Sequence, residues 1–354
     1  MAKKVIFLSL LLLFVLALFN WSRIAQYFRP DTRTVNEHQV TLLFREDPGE
    51  DFLLEQLIQN GILSNKEDFK GYVTKNNIHD SDFAAGKYVI LSGTQLSSLI
   101  EGFTKDEHGN GKAEIKVNVD FNRCRFVEDI GANISRCILA DSASIVGCIK
   151  DNRLQKKYGF TEEGMLAMFL PKRYKMYFDT DAEEFVAIMA QEFKYFWNKE
   201  RMEKINSIGL NSPSEVTTLA SIVYSEQSKL KEEWPIIAKL YINRINKGMR
   251  LQSDPTFKFC WGYELDGVER LLNKHKNIDC SYNTYKIDGL PPGPICLVPG
   301  EVIDAVLNPA NVAFLFMCGK PGGKGHNFAV SNREHEKNAT EYRIWLKNYL
   351  KEKK

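Results

Sequence analysis

The chain has 354 residues, 44% of them hydrophobic and 12% aromatic, which is enough material for two or three domains with cores of their own. Its 47 basic and 45 acidic side chains leave a formal net charge of +2, so no strong positive field points to nucleic acid as a partner. The seven cysteines (Cys124, Cys137, Cys148, Cys260, Cys280, Cys296 and Cys318) form no C-x-x-C pair and no zinc-like cluster with histidine, so no metal site is expected. An odd number argues against a complete disulfide framework. Most read as small buried apolar residues, and an exported location would permit one or two disulfides.

The N-terminus reads as a targeting segment. Lys3 and Lys4 precede an apolar run over residues 5–19, extended by Trp21 at an interfacial position. No small-x-small cleavage site follows, and no cysteine stands at its end as in a lipoprotein, so a retained anchor is expected. The expected layout is a cytoplasmic stub at 1–4, a single-pass membrane span at 5–22 and a polar tether at 23–39 containing Pro30. The bulk of the protein then stands outside the cytoplasm, although Arg23, Arg29 and Arg33 follow the run and weaken the charge asymmetry.

Two α+β segments come next, at 40–110 and 111–200. Ile58, Ile62, Leu63, Asn65, Phe69, Gly71 and Val73 recur 76 positions later as Ile134, Ile138, Leu139, Asp141, Ile145, Gly147 and Ile149. A strand signal precedes each copy: residues 40–44 in the first, and the alternating Ile115, Val117, Val119 and Phe121 in the second. A tyrosine-bearing strand follows each, at 86–91 and at 173–178, and the second carries about ten extra residues. Each unit is therefore strand, two short helices and strand, followed by a further helix. The alternative is that two unrelated amphipathic segments align by chance. Gly109, Asn110 and Gly111 mark the joint.

The region 201–354 has a different texture. Ser212-Pro213-Ser214-Glu215 reads as a capping box with proline at the first helical position, where its missing N–H costs nothing. Val216, Leu219, Ala220 and Val223 line one face of the helix that follows, and the next step of that stripe is Glu226. A carboxylate there loses hydration, which raises its pKa and suits it to act as a general acid. The competing reading is a helix that frays by this point and leaves Glu226 solvated.

A second helical pattern over 233–247 is ended by Gly248, and polar elements follow it. They are Asn243-Arg244 on that helix, Gln252-Ser253-Asp254-Pro255-Thr256, Tyr282-Asn283-Thr284-Tyr285 and the stiff loop Gly289-Leu290-Pro291-Pro292-Gly293-Pro294-Ile295. Aromatic faces beside hydrogen-bonding groups suit sugar rings, though each residue taken singly is more often structural than functional. Asp254-Pro255 reads as a turn, with the aspartate bonding nearby amides. Neither Cys296 nor Cys318 sits in a nucleophile-like setting, so a cysteine peptidase using His326 gains no support.

These residues in this order resemble the MltG (YceG-like) endolytic murein transglycosylase family. The resemblance rests on Leu219-Ala220-Ser221-Ile222-Val223 leading to Glu226, Tyr241-Ile242-Asn243-Arg244, Lys247-Gly248-Met249 and Leu251 to Thr256. It continues through Tyr282 to Tyr285, Gly289 to Ile295, Asn308-Pro309 and His326-Asn327-Phe328, over roughly the last 140 residues. It implies an α+β protein: a membrane anchor, a lysin-motif-like strand-helix-helix-strand unit and a mixed α/β catalytic region, the unit being doubled if the recurrence above is a true repeat.

By the same resemblance, Glu226 is catalytic, and Asn243, Arg244, Gln252, Ser253, Asp254, Thr256, Tyr282, Asn283, Thr284, Tyr285 and His326 are substrate contacts. No metal or cofactor is implied. The implied substrate is peptidoglycan, cut between N-acetylmuramic acid and N-acetylglucosamine with 1,6-anhydro ends, at the inner membrane and alongside peptidoglycan synthases. The sequence departs from the family where Lys172 and Arg173 replace an acidic position, and where Tyr224 and Gln227 replace a second acid near Glu226. A hydrolytic muramidase using Glu226 with Asp254, and a non-catalytic glycan-binding scaffold, stand as alternatives.

Overall fold

Alternating burial sets the first sheet. In the computed structural model, which describes residues 39–122, 124–268 and 272–352, strand β1 (Gln39–Phe44) buries Leu42 and Phe44 and exposes Thr41 and Leu43. Strand β2 (Gly86–Leu91) buries Gly86, Tyr88 and Ile90 with the same period of two. The strands pair antiparallel, from Gln39 opposite Leu91 to Phe44 opposite Gly86. A slip of one residue would turn Tyr88 and Ile90 out of the core, so burial fixes the register. Helices α1 (Glu50–Gln59) and α2 (Lys66–Lys75) lie between the strands in sequence, and α3 (Leu96–Phe103) follows them. Residues 39–117 together with Tyr177–Asp179 form one compact unit, with Leu53, Leu57, Ile62, Phe69 and Ile100 fully buried inside it.

The same order recurs further along the chain. Strands β3 (Lys116–Asp120) and β4 (Arg173–Tyr177) make a second two-stranded sheet. Helices α4 (Val127–Ile134), α5 (Ser142–Lys150) and α6 (Asn152–Tyr158) come between them in sequence, and α7 (Ala182–Phe196) follows. Helix α6 and a 3-10 turn at Met165–Met168 account for the extra residues of the second segment. Asn65 and Asp141, which align in the sequence, both act as N-caps: Asn65 accepts from Glu67 N at the start of α2, and Asp141 from Ser144 N at the start of α5.

The described residues of 118–176 and 180–352 form the other compact unit, so this second segment folds with the C-terminal region. Helix α8 (Lys199–Ser207) leads to α9 (Pro213–Glu226). Then come α10 (Trp234–Asn246), α11 (Asp254–Cys260), the short α12 (Asn273–Lys276) and α13 (Gly300–Leu307). A hairpin of β5 (Phe316–Gly319) and β6 (His326–Ala329) precedes the final helix α14 (Asn332–Glu352). Val216, Leu219, Ala220 and Val223 of α9 share one core with Ile237 and Ala238 of α10 and Val302 and Ile303 of α13. Each fully buried Val, Leu or Ile contributes about 1.5–3 kcal/mol relative to exposure, so α9 is anchored by packing more than by its caps. Together with the first unit this is a mixed α/β fold. The segment expected to cross a membrane, residues 5–22, and nearly all of the tether lie outside the described residues. No helix among the described residues is long and apolar enough to span a bilayer.

Candidate active site

Helix α9 starts where its cap signal stands. Ser212 Oγ accepts from Glu215 N at 3.2 Å and Pro213 takes the first turn. The reciprocal half of the box is displaced by one residue, because the Glu215 carboxylate accepts the Asn211 N–H at 2.9 Å. Its middle is buried on every side, and the polar residues there are satisfied within the helix: Thr217 bonds Pro213 O, Thr218 bonds Ser214 O and Ser221 bonds Thr218 O. Ser221 Oγ also accepts the Ile295 N–H at 3.0 Å, which pins the proline-rich loop to α9. Gly293 of that loop lies so close to Glu163 that an added Cβ would sit 1.9 Å from its carbonyl oxygen, so only glycine fits.

The helix holds its form through Glu226 and ends there, and no frayed turn precedes it. Glu226 lines a cleft of about 450 Å³. Ser253 Oγ donates to its Oε1 at 2.5 Å and Tyr241 Oη donates to the same oxygen at 2.8 Å. Oε2 takes no hydrogen bond from the described residues and is the oxygen left for a ligand. Burial raises the Glu226 pKa above the ordinary carboxylate value. The Ser253 and Tyr241 hydrogen bonds oppose that rise, Asp254 adds repulsion and His326 partly offsets it, and burial prevails.

Asp254 opens a helix. Pro255 occupies its first turn, so the expected turn at Asp254-Pro255 is instead the N-terminus of α11, where proline's missing N–H is harmless. The Asp254 carboxylate accepts from Tyr285 Oη at 2.6 Å and pairs with Lys276 Nζ at 3.2 Å, in place of nearby amides. Behind it Thr256 and Thr284 share a hydroxyl bond at 2.8 Å, and Ser253 N donates to Thr284 Oγ1 at 3.0 Å. A Cys260–Cys280 disulfide ties α11 to the segment carrying Thr284 and Tyr285.

Across the cleft stand the β5–β6 hairpin and the first turns of α14. His326 is held from behind by Glu233, whose Oε1 accepts the His326 backbone N–H at 2.8 Å and whose Oε2 meets ring Nδ1 at 2.7 Å. Glu233 is 6% exposed. Burial alone would push its pKa up, but the ring and backbone bonds from His326 outweigh it and hold the carboxyl below its usual value. Gly325 permits this approach, since a Cβ there would fall 2.3 Å from Glu233 Oε1.

Glu226, Arg244, Gln252, Asp254, Tyr285 and His326 are thus brought together around one cleft. Thr256, Asn283 and Thr284, expected at the substrate, have no exposed surface and serve as scaffold: Asn283 Nδ2 donates to Lys276 O and Ile278 O, both at 2.8 Å. Ser253, only 1% exposed, acts through Glu226. Asn243 points away and donates to Val312 O and Phe314 O, fixing the approach to β5. Tyr282 lies outside the cleft, its ring 4.6 Å from Phe259 in a separate hollow with Phe126 and Glu163. Burial pushes the Cys296 thiol up to about 11 and raises that of Cys318, the opposite of what a nucleophile needs. Lys172, at the departing position, pairs with Glu192, and Tyr224 packs edge-on to Trp234.

Glu233 is a site residue that no motif marks. It lies four residues before Ile237 and seven before Leu240, on the buried face of the α10 pattern, and that periodicity was the available signal.

Residues 47–341 match the YceG-like family. A Bacillus subtilis (strain 168) protein named endolytic murein transglycosylase is 26% identical over 302 residues, which cover 81% of this chain and 80% of that protein. A protein of the same name from Streptococcus pneumoniae serotype 2 (strain D39 / NCTC 7466) is 30% identical over 132 residues, 36% of this chain and 24% of that one. The crystal structure of a yceG-like protein from Listeria monocytogenes superimposes with a TM-score of 0.53 at 22% identity, covering 85% of this chain and 98% of that chain, a likeness of fold.

Proposed function

The chain belongs to the YceG-like family, and from that membership we propose that it is an endolytic lytic transglycosylase of peptidoglycan with Glu226 as its single acid–base. The observation that carries this is the state of the carboxylates in the cleft. Glu226 is half-buried, with both its donors on one oxygen, while Asp254 is neutralised by Lys276 and Tyr285.

Hydrolytic glycosidases use two carboxyl groups, one as acid and one as nucleophile or base. A site in which one carboxyl, not held by a cation, keeps an oxygen for the ligand suits a reaction in which the substrate supplies its own nucleophile. Protonated Glu226 gives its proton to the glycosidic oxygen as the bond from the muramyl anomeric carbon breaks, leaving a 4-hydroxyl on the departing sugar. The muramyl 6-hydroxyl oxygen then attacks that carbon, and its proton returns to Glu226. The product is a 1,6-anhydro end and the acid is regenerated, with no water consumed. Cyclisation outruns hydrolysis because the attacking hydroxyl is already attached to the substrate and the cleft wall limits water. Tyr241 and Ser253 hold Oε1, so the proton shuttles on Oε2.

The finer features follow from the sequence. The apolar residues 5–22 after Lys3 and Lys4 anchor the chain in the membrane by a single span, with the catalytic unit on the extracytoplasmic side. The β1-α1-α2-β2 unit is a lysin-motif-like module that holds glycan. A tether of 23–39 keeps the cleft near the bilayer, where it cuts nascent strands beside the peptidoglycan synthases and ends their growth. Digesting purified glycan strands and identifying the new ends by mass spectrometry tests the chemistry: 1,6-anhydro ends support it, and reducing ends would assign a hydrolytic muramidase instead.

A further inference from the structure

The cleft contains a buried positive charge that no acid among the described residues balances. Arg244 on α10 is 9% exposed and lines the cleft beside Tyr241 and Gln252. A guanidinium has five N–H donors and stays charged in proteins. Among the described residues it makes one hydrogen bond, from Nη2 to Gln252 Oε1 at 2.9 Å, while its Nε is buried with no partner. Its guanidinium also faces the Phe316 ring, whose centre lies 5.7 Å away. The acids of the cleft are already engaged: Asp254 with Lys276, Glu336 with Arg343, and Glu226 with Tyr241 and Ser253. Glu233 behind the wall is held by His326.

Gln252, which holds the guanidinium, is itself strained. Its φ of 53° is in the left-handed region that residues other than glycine rarely enter, and its N–H is fixed on Thr284 O at 3.1 Å. A buried charge without a counter-ion is destabilising, and such an arrangement persists where a ligand supplies the missing partner.

We propose that Arg244 is the anion-recognition residue of the cleft and that it takes a carboxylate carried on the muramyl side arm of the glycan. The planar fork of the guanidinium matches a carboxylate in bidentate geometry. Within the glycan only the muramyl side arm carries anionic groups. They belong either to the stem peptide or, on strands stripped of peptide, to the lactyl group. The inference rests on the peptidoglycan reading and adds the group that sets affinity.

The test uses the full chain in detergent with Glu226→Gln, so that strands bind without being cut, and calorimetry as the readout. Four ligands are compared: strands with stem peptides, the same strands with stem carboxyls amidated, stripped strands with free lactyl carboxylates, and stripped strands with those carboxylates methyl-esterified. The expected result is at least tenfold tighter binding of a carboxylate form than of its neutralised counterpart. That gap is lost on adding Arg244→Gln and partly kept with Arg244→Lys. The pair that shows the gap identifies the source. No gap in the parent, or an equal gap in Arg244→Gln, overturns the proposal.

Thermal melting separates a structural role. Removing an unpaired buried charge leaves the midpoint equal or higher, whereas a lower midpoint with equal losses on charged and neutral ligands overturns anion recognition. Reducing ends released by the parent would sink the transglycosylase reading while leaving this binding comparison, made on the inert Glu226→Gln chain, readable.

Discussion

Glu233 and His326 are joined at two points, carboxylate to backbone N–H and carboxylate to ring Nδ1, across 93 residues of sequence. An ionised carboxylate at Nδ1 demands that this nitrogen carry the proton, which leaves Nε2 to the cleft. The pair therefore sets both the position of the imidazole and the nitrogen that meets substrate. In Glu233→Gln, the amide can hold the ring only in altered geometry or the other tautomer. We expect kcat/KM to fall by roughly tenfold or more, since a hydrogen bond to a charged group contributes about 1.5–3 kcal/mol. Kinetics unchanged from the parent would remove His326 from the working site.

The same pair makes stability depend on acidity. The folded Glu233 pKa lies below the usual 4.5, so its contribution is fully present above that value and is lost as pH falls through the lowered one. The thermal midpoint of the parent should therefore drop more steeply below about pH 4.5 than that of Glu233→Gln. Parallel curves would contradict the assignment.

Glu226 has the opposite sign. Its raised pKa means that the folded state favours the protonated form, and stability is lost as pH rises through the folded value. Glu226→Gln should melt higher than the parent at neutral pH and alike in acid. Ser253→Ala and Tyr241→Phe each remove a donor that favours the charged form. Each should therefore move the alkaline limb of the kcat/KM profile to higher pH. A limb that moves to lower pH in either variant would show that these donors do not act on the catalytic carboxyl.

The Cys260–Cys280 disulfide closes a separation of 20 residues and joins the two segments that hold Asp254 and Tyr285. A crosslink of this span contributes about 3 kcal/mol in the chain-entropy account. Replacing both cysteines by serine should lower the thermal midpoint and the activity together, and reductant should do the same to the parent but nothing further to the variant. A parent indifferent to reductant, with the bond verified broken by mass spectrometry, would contradict the brace.

Much of this arrangement was legible because it is local. Ser212 and Pro213 mark the start of α9, the stripe from Val216 to Val223 leads to Glu226, and Asn65 and Asp141 mark equivalent helix starts by chemistry any chain would share. What was hidden depends on partners distant in sequence. Glu233 falls on the buried face of the α10 pattern, but its partner His326 is 93 residues away and only the fold brings the two together. Asp254 reads as a turn former until Lys276 and Tyr285 occupy its carboxylate. Thr256 and Thr284 look like sugar contacts because hydroxyls suit both sugars and buried networks, and only burial separates the two.

The most direct measurement concerns Glu226 itself. Purified full-length protein and its Glu226→Gln variant are incubated with glycan strands, and the ends released are counted by mass spectrometry. The account predicts 1,6-anhydro-muramyl ends from the parent and a loss of about 10²–10⁴-fold in the variant, the usual contribution of a general acid–base, with folding intact. Undiminished release of anhydro ends by Glu226→Gln would contradict it.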